Sequence, residues 1–385
     1  MCIRDSTWNV DRVGAPSVWD APHGYTGAGV VVAVVDTGCD LEHPDLADHP
    51  WVNPGEIPDN GKDDDGNGFV DDVHGWDFYY DTNEVLGPPG GHGSHVAGLA
   101  AGDGSAGSQT GVAPDALVMA VKVFSDTGRG TEYIAWAGMD YAVTMGADVL
   151  NLSFGWYQDQ TTNQPLWREL CLAALEVGVV IVAAAGNEGE NNDTAPSYPA
   201  CYDLPNLISV AATDGDDNLC LFSNYGALSV DGGAPGLFIL GTVPGDAYGY
   251  LSGTSMATAF TTGLAGLLWS AFPGASWQDI LYRVLYGADR RASLAGVTAT
   301  GGRFDAGKAL DASPPATPPE APSGLSLEPL PEGRMALTWR DESSDELGFE
   351  IERRVEGGGA FTRVAWTALN VRSLDDGPLE EGRAC

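Results

Sequence analysis

Positive charge is scarce in this chain. Its 18 Lys and Arg residues face 54 Asp and Glu, a formal net charge of −36, and the lysines are only Lys62, Lys122 and Lys308. Phosphate backbones would be repelled, so nucleic acid is excluded as a partner. No apolar run reaches the ~20 residues that a helix needs to cross a bilayer, so no membrane span is expected. The six cysteines, Cys2, Cys39, Cys171, Cys201, Cys220 and Cys385, include no C-x-x-C pair, which argues against the usual zinc and redox motifs. Cys39 and Cys171 read as small buried hydrophobes. Cys201 and Cys220 are open to pairing in an oxidising compartment, which spacing alone leaves undecided. The opening stretch, Met1 to Ser6, has no apolar segment and does not read as a secretory signal.

What is present is enough for a sizeable core: 385 residues, 43% of them hydrophobic. That length predicts one large domain and a smaller one. Residues 29–36, Gly-Val-Val-Val-Ala-Val-Val-Asp, form a continuous β-branched run, the pattern of a strand buried on both faces of a parallel sheet. Further strands are expected at 117–124, 148–153, 179–184 and 207–212. Helices are expected at 131–145, 167–177, 255–271 and 276–286. This alternation predicts an α/β fold, a parallel sheet flanked by helices on both faces. Around Ala312 the composition changes. Residues 312–322 form a Pro-rich linker, and alternating runs such as 335–339 and 349–353 then predict a small antiparallel β unit over 323–385.

Four stretches invite chemistry. Asp36 ends the first strand, where catalytic groups gather in open parallel sheets; a turn-forming role fits it equally well. His92, in Gly91-His92-Gly93-Ser94-His95, opens a small-residue helix. His92 and His95 lie three apart with no third ligand nearby, which argues against a metal pair. Asn187, in Gly186-Asn187-Glu188-Gly189, suits a turn or an amide aimed at a developing oxyanion. Ser255, in Gly253-Thr254-Ser255-Met256-Ala257, stands where a loop becomes a helix. A serine there is a cap, or a nucleophile whose oxyanion meets unpaired backbone N–H groups.

A fifth stretch is acidic. Asp63-x-Asp65-x-Asn67-Gly68 matches the opening of a calcium loop, with oxygen ligands on alternate residues, and Phe69 would offer its carbonyl. The twelfth position holds His74 instead of Glu, so Asp71 or Asp72 would close the shell. Structural Ca2+ is the expected cofactor.

Taken together, VAVVDTG, GHGSHVAG, NLSFG, AAAGNEG and GTSMAT resemble the signature segments of subtilisin-like serine peptidases, over about Trp8 to Ala309. The chain order Asp, His, Ser is the one that family uses. The resemblance implies a peptidase domain over 8–311. It makes Ser255 the nucleophile, His92 the general base, Asp36 its orienting carboxylate and Asn187 an oxyanion donor; His95 is then structural. Ser153-Phe154-Gly155 would pair with the substrate backbone as an added strand. The same segment and Ala185-Gly186 would wall the pocket for the residue before the scissile bond, with Glu188 near its base. Small walls suggest a roomy pocket that prefers large apolar residues. Asp45 matches a position that ligates calcium in relatives. The chain departs from the family at Ala259 and Phe260, where Pro and often His are usual.

After the linker, Leu325, Leu337-Thr338-Trp339, Phe349 and Ile351-Glu352-Arg353 resemble a fibronectin type III module, with its last strands missing. The resemblance also implies protein or peptide substrates, an inhibitory pro-segment that this chain does not contain, and a secreted enzyme. Two other readings stand beside a broad-specificity endopeptidase: a non-catalytic, calcium-dependent surface or adhesion protein, and a narrow-specificity maturation peptidase. The first has no need of Asp36, His92, Ser255 and Asn187 together.

Overall fold

The computed structural model describes residues 8–20, 22–106, 110–157, 164–202, 204–354, 358–367 and 369–377. They fall into two compact units that divide between Ser313 and Pro314. In the larger unit the helices are α1 (Trp8–Val13), α2 (Pro16–Trp19), α3 (His92–Ala101), α4 (Glu132–Thr144), α5 (Gln164–Val177), α6 (Thr254–Ala271), α7 (Trp277–Tyr286) and α8 (Ala306–Asp311). Its strands up to the middle of the chain are β1 (Val31–Asp36), β2 (Gly75–Asp77), β3 (Leu117–Lys122), β4 (Val149–Leu152), β5 (Trp156–Tyr157) and β6 (Val180–Ala184). They continue as β7 (Ser197–Tyr198), β8 (Leu207–Thr213), β9 (Gly232–Pro235), β10 (Ile239–Val243), β11 (Ala247–Leu251), β12 (Asp289–Arg290) and β13 (Gly302–Arg303).

Nine strands form one sheet in the order β12-β13-β9-β8-β6-β4-β1-β3-β2. Every neighbouring pair is parallel except β12 with β13. The central strands are buried along their length, which is why they read as unbroken apolar runs rather than alternations. Helices α3 and α6 pack on β1 and on each other, while α4 lies against β3 and β1 and α5 against β6. The α/β sandwich expected from the alternation is the fold found.

Helix α6 is buried on all sides from Thr254 to Leu268. A helix apolar all round belongs inside the core, and its small residues let neighbours close in. A β-carbon on Gly263 would stand 2.5 Å from the Ala100 carbonyl oxygen of α3. Side-chain caps fix the starts of α4, α7 and α8. Thr131 accepts from the Ile134 amide at the start of α4, and Ser276 and Asp279 form a reciprocal capping box at the start of α7.

Strand β9 escapes sequence reasoning. Gly-Gly-Ala-Pro has little strand propensity, and its glycines serve close approach. A β-carbon on Gly232 would lie 2.6 Å from the Phe304 ring, and one on Gly233 2.8 Å from the Thr213 side chain.

Residues 312–322 hold no helix or strand. The smaller unit then forms β14 (Ser323–Leu330), β15 (Arg334–Arg340), β16 (Phe349–Arg353), β17 (Thr362–Thr367) and β18 (Ser373–Asp376). They make an antiparallel sheet β14-β15-β18 and a hairpin β16-β17. Trp339, Phe349 and Ile351 are its buried centre, with Leu337, Val364 and Leu374 packed around them.

Candidate active site

Parallel strands deliver their last residues to one edge of a sheet, and the site is built there. β1 ends in Asp36, which is 1% exposed. Its carboxylate accepts the Thr37 amide (2.6 Å) and lies 2.8 and 2.9 Å from His92 Nδ1. A carboxylate can only accept, so Nδ1 carries the proton and neutral His92 presents a bare Nε2. His92 is the first residue of α3. Gly91 precedes it in the left-handed region (φ 55°), and the Gly93 amide donates to the Thr37 hydroxyl (3.1 Å). The helix therefore starts directly on the turn after Asp36. Burial pulls the His92 pKa down, but the charge and hydrogen bond of Asp36 outweigh it and raise the imidazole above its ordinary 6.5.

Strand β4 lies beside β1 with Val34 opposite Asn151. Asp36 is the last residue of β1 and Ser153 follows the last residue of β4, and both line one groove. Ser153 holds Ser255 by a reciprocal pair. The Ser255 hydroxyl donates to the Ser153 carbonyl (3.1 Å), and the Ser153 hydroxyl donates to the Ser255 carbonyl (3.0 Å). Asn151 Nδ2 donates to the Ser153 hydroxyl (2.9 Å) and Asn151 Oδ1 accepts from Thr262 (3.0 Å). This buried chain fixes the start of α6 against the end of β4. Gly263 of α6 touches Ala100 of α3, each eight residues past Ser255 and His92. The two helices thus run side by side from the same edge.

Asp36 and His92 are paired, and Ser255 is tied to Ser153, which lines the same groove as they do. Among the described residues no hydrogen bond joins the Ser255 hydroxyl to His92; it rests on Ser153 instead. Such bonds are commonly loose before substrate arrives, and rotation about one side-chain torsion redirects the hydroxyl.

Asn187 follows β6. The Thr254 amide donates to its Oδ1 (2.8 Å), as does the Thr254 hydroxyl (3.2 Å). A backbone N–H facing the carboxamide identifies that atom as oxygen, so the NH2 is the other end, and the carboxamide lies beside Gly253. The turn is held by Asn224, whose Oδ1 accepts the Glu188 and Glu190 amides (3.0 Å each), and by Asn192, which donates to the Ala185 carbonyl (2.8 Å). Asn151, Asn192 and Asn224 were not singled out in the sequence. Isolated buried asparagines carry no pattern that would have found them.

His95, one turn past His92, is fully buried. Its Nε2 faces the carbonyls of Ile239 and Gly249 (3.1 Å each), so that nitrogen is the donor, and Nδ1 has no partner. Burial first, then the nearby His92, lower its pKa to about 4. His95 thus anchors the β10-β11 hairpin as a neutral ring.

A groove of about 900 Å3 opens beside Asp36 and His92, between Ser153–Trp156 on one side and the 128–132 loop on the other. Phe154 lines it, packed edge-on against Phe124 (centroids 5.1 Å apart).

The acidic loop differs from the motif expected of it. Asp63 spends its oxygens on the amides of Gly66, Asn67 and Gly68, and Asp71 on those of Asn60 and Gly61. Phe69 packs its ring on Trp76 and Tyr141. Asn67 donates to Asp72 (3.0 Å). The oxygens that converge belong to Glu56, Asp65 and Asp72, all within 4.8 Å of one another. Glu56 is the residue the spacing missed, because it lies outside the motif. Asp45 accepts the Ala106 amide (2.8 Å) and the Tyr248 hydroxyl (2.6 Å), a latch between loops, and is not among the converging oxygens.

Cys39 and Cys220 are free thiols, so no disulfide joins Cys220 to Cys201. Burial raises the Cys39 thiol far above its ordinary value, with Asp36 and Asp40 adding to it.

The subtilase family profile matches residues 27–302. Thermitase of Thermoactinomyces vulgaris is 39% identical over 301 residues, 78% of this chain and 94% of that protein. The intracellular serine protease of Paenibacillus polymyxa is 34% identical over 279 residues, 72% of this chain and 77% of that protein. Among solved structures, that of a cold adapted subtilisin-like serine proteinase superposes with a TM-score of 0.60 at 26% identity, covering 77% of this chain and 96% of the other.

Proposed function

The chain belongs to the subtilase family and is a serine endopeptidase, and on that premise we propose that Ser255, His92, Asp36 and Asn187 carry out the hydrolysis. Neutral His92 takes the Ser255 proton through Nε2 as the hydroxyl attacks the peptide carbonyl. The imidazolium that forms is stabilised by Asp36 and returns its proton to the leaving amine. The oxyanion is met by the Asn187 NH2 and the Ser255 N–H. Water then releases the acyl group from Ser255 by the same proton path. The observation that carries this reading is that Asp36, His92 and Ser153 line one groove while Ser153 holds Ser255 by a reciprocal hydrogen-bond pair.

An extended peptide fits the groove beside Ser153-Phe154-Gly155, where main-chain hydrogen bonds give affinity and side-chain pockets give selectivity. The test is labelling with a fluorophosphonate. Stoichiometric modification of Ser255 that disappears in His92→Ala is expected; a folded chain that takes no label overturns the assignment. Peptide-library profiling separates a broad endopeptidase from a narrow maturation enzyme.

The family also implies structural Ca2+, and the donors here fit it: Glu56, Asp65 and Asp72 offer hard oxygen ligands, and Glu56 Oε2 is buried with no partner. Bound there, the ion would neutralise three crowded carboxylates. Secretion is the compartment proposed. One relative is named as intracellular, so the test is whether cells export the full-length product. The smaller unit is read as part of a fibronectin type III-like sandwich, on the ground of its sheet and hairpin around Trp339. A longer chain with the remaining strands paired would bear this out, and an unrelated topology would refute it.

A further inference from the structure

Walls as small as Gly155, Ala185 and Gly186 would by themselves leave a deep apolar slot for the residue before the scissile bond. Tyr157 alters that space. It lies two residues past Gly155, and β5 pairs with β7 so that Tyr157 faces Ser197, which fixes where the strand stands. Its phenol donates to the Glu188 carboxylate, and Asn224 Nδ2 donates to the phenol oxygen (2.7 Å). The hydroxyl stands 3.0 Å from where a β-carbon on Gly186 would be. Gly186 itself adopts φ 115°, so no side chain is tolerated at that point. The ring therefore reaches from the wall that carries Gly155 to the turn that carries Gly186.

The far end is fixed. Asn224 is fully buried and tied to the turn by the Glu188 and Glu190 amides. Glu188 is folded back on its own chain by the Asn187 amide (2.8 Å). Burial, then the bond to Glu188, push the phenol pKa up to about 12, so the group is a neutral O–H donor near neutral pH. Yet Tyr157 keeps 43% of its surface exposed. It is not a core residue, and its surface is open to an incoming side chain.

We propose that Tyr157 is a specificity-determining residue that floors this pocket, admitting side chains up to the size of Leu or Met and turning away aromatic rings. The phenol also occupies an oxygen of Glu188 and so shields that carboxylate from a cationic side chain. Both statements rest on the assignment of Ser255 as nucleophile.

The test uses the full chain and four peptide p-nitroanilides that differ only in the residue before the anilide: Ala, Leu, Phe and Lys. The wild type should cleave after Leu in preference to Phe. Tyr157→Ala should raise the Phe/Leu ratio of kcat/KM by about tenfold or more, the scale that a methylene-sized change of pocket can reach. Tyr157→Leu, which keeps apolar packing, should move it the same way by less. Tyr157→Phe should leave that ratio within about twofold but raise Lys over Leu several-fold, and adding Glu188→Gln should abolish the gain. An active, fluorophosphonate-labelled Tyr157→Leu enzyme with the wild-type Phe/Leu ratio overturns the role of Tyr157 alone. A folded wild type with neither labelling nor cleavage overturns the nucleophile assignment and this proposal with it.

Discussion

Carboxylates meet two opposite fates in the larger unit. Asp36 is sealed at the end of β1, and both of its oxygens face donors from the protein itself, the Thr37 amide and the His92 ring. In the acidic loop, Glu56, Asp65 and Asp72 are drawn to within 4.8 Å of one another, and Glu56 Oε2 has no donor at all. An unpaired buried charge is costly. The first carboxylate is completed by the chain, so removing it should damage chemistry. On the proposed reading the second group is completed by a cation from solution, so stripping that cation should damage stability.

The largest effect should come from breaking the first side of that contrast. Asp36→Asn keeps the shape but loses the charge and the tautomer control. A fall in kcat of about 10^4 is expected, the size seen for Asp-to-Asn in chymotrypsin-type triads and for loss of the aspartate in subtilisin, with the melting temperature nearly unchanged. A parallel collapse of the melting temperature would make Asp36 structural.

The second side is probed by chelation. If Ca2+ at a hundredfold excess over its Kd supplies about 3 kcal/mol, saturating chelator should lower the melting temperature by several degrees. Glu56→Gln should lose most of that sensitivity. An unchanged melting curve would mean the loop completes itself, and the contrast would vanish.

His95 sharpens the comparison, being a buried ionisable group kept neutral rather than paired. Its pKa is lowered from 6.5 to about 4. Below pH 6.5 the unfolded chain binds a proton that the folded one refuses, so stability should fall between pH 6.5 and 4, by about 3 kcal/mol in all. His95→Gln should flatten that window in urea titrations; an equal slope in both proteins would reject the assignment.

His92 has the opposite sign. Its raised pKa means that the Asp36 pair stabilises the fold at acid pH and loses that contribution as pH rises through the His92 value. Activity needs the neutral ring. kcat/KM should therefore climb with pH to a midpoint above 6.5, and in Asp36→Asn the midpoint should move to lower pH.

These elements were not equally legible in the sequence. Strand β1 and helix α6 announced themselves because burial on every side leaves no polar face to break the run. Asp36, His92, Ser255 and Asn187 each read ambiguously alone, and the resemblance to subtilisin-like peptidases was what joined them into one site. Glu56 was invisible because chain folding, not spacing, brings it to Asp65 and Asp72. Asp63 reads as a ligand in the motif, and in the fold its oxygens also cap the loop's own amides. Asn151 and Asn224 act through geometry alone, and β9 is a strand because Phe304 and Thr213 press on its glycines.

The enclosure of α6 has a thermal corollary. With fifteen successive residues walled in by the surrounding core, from Thr254 to Leu268, the serine cannot drift from its partners by fraying. Inactivation and global melting should then share one midpoint, and amide exchange along this segment should be among the slowest in the protein.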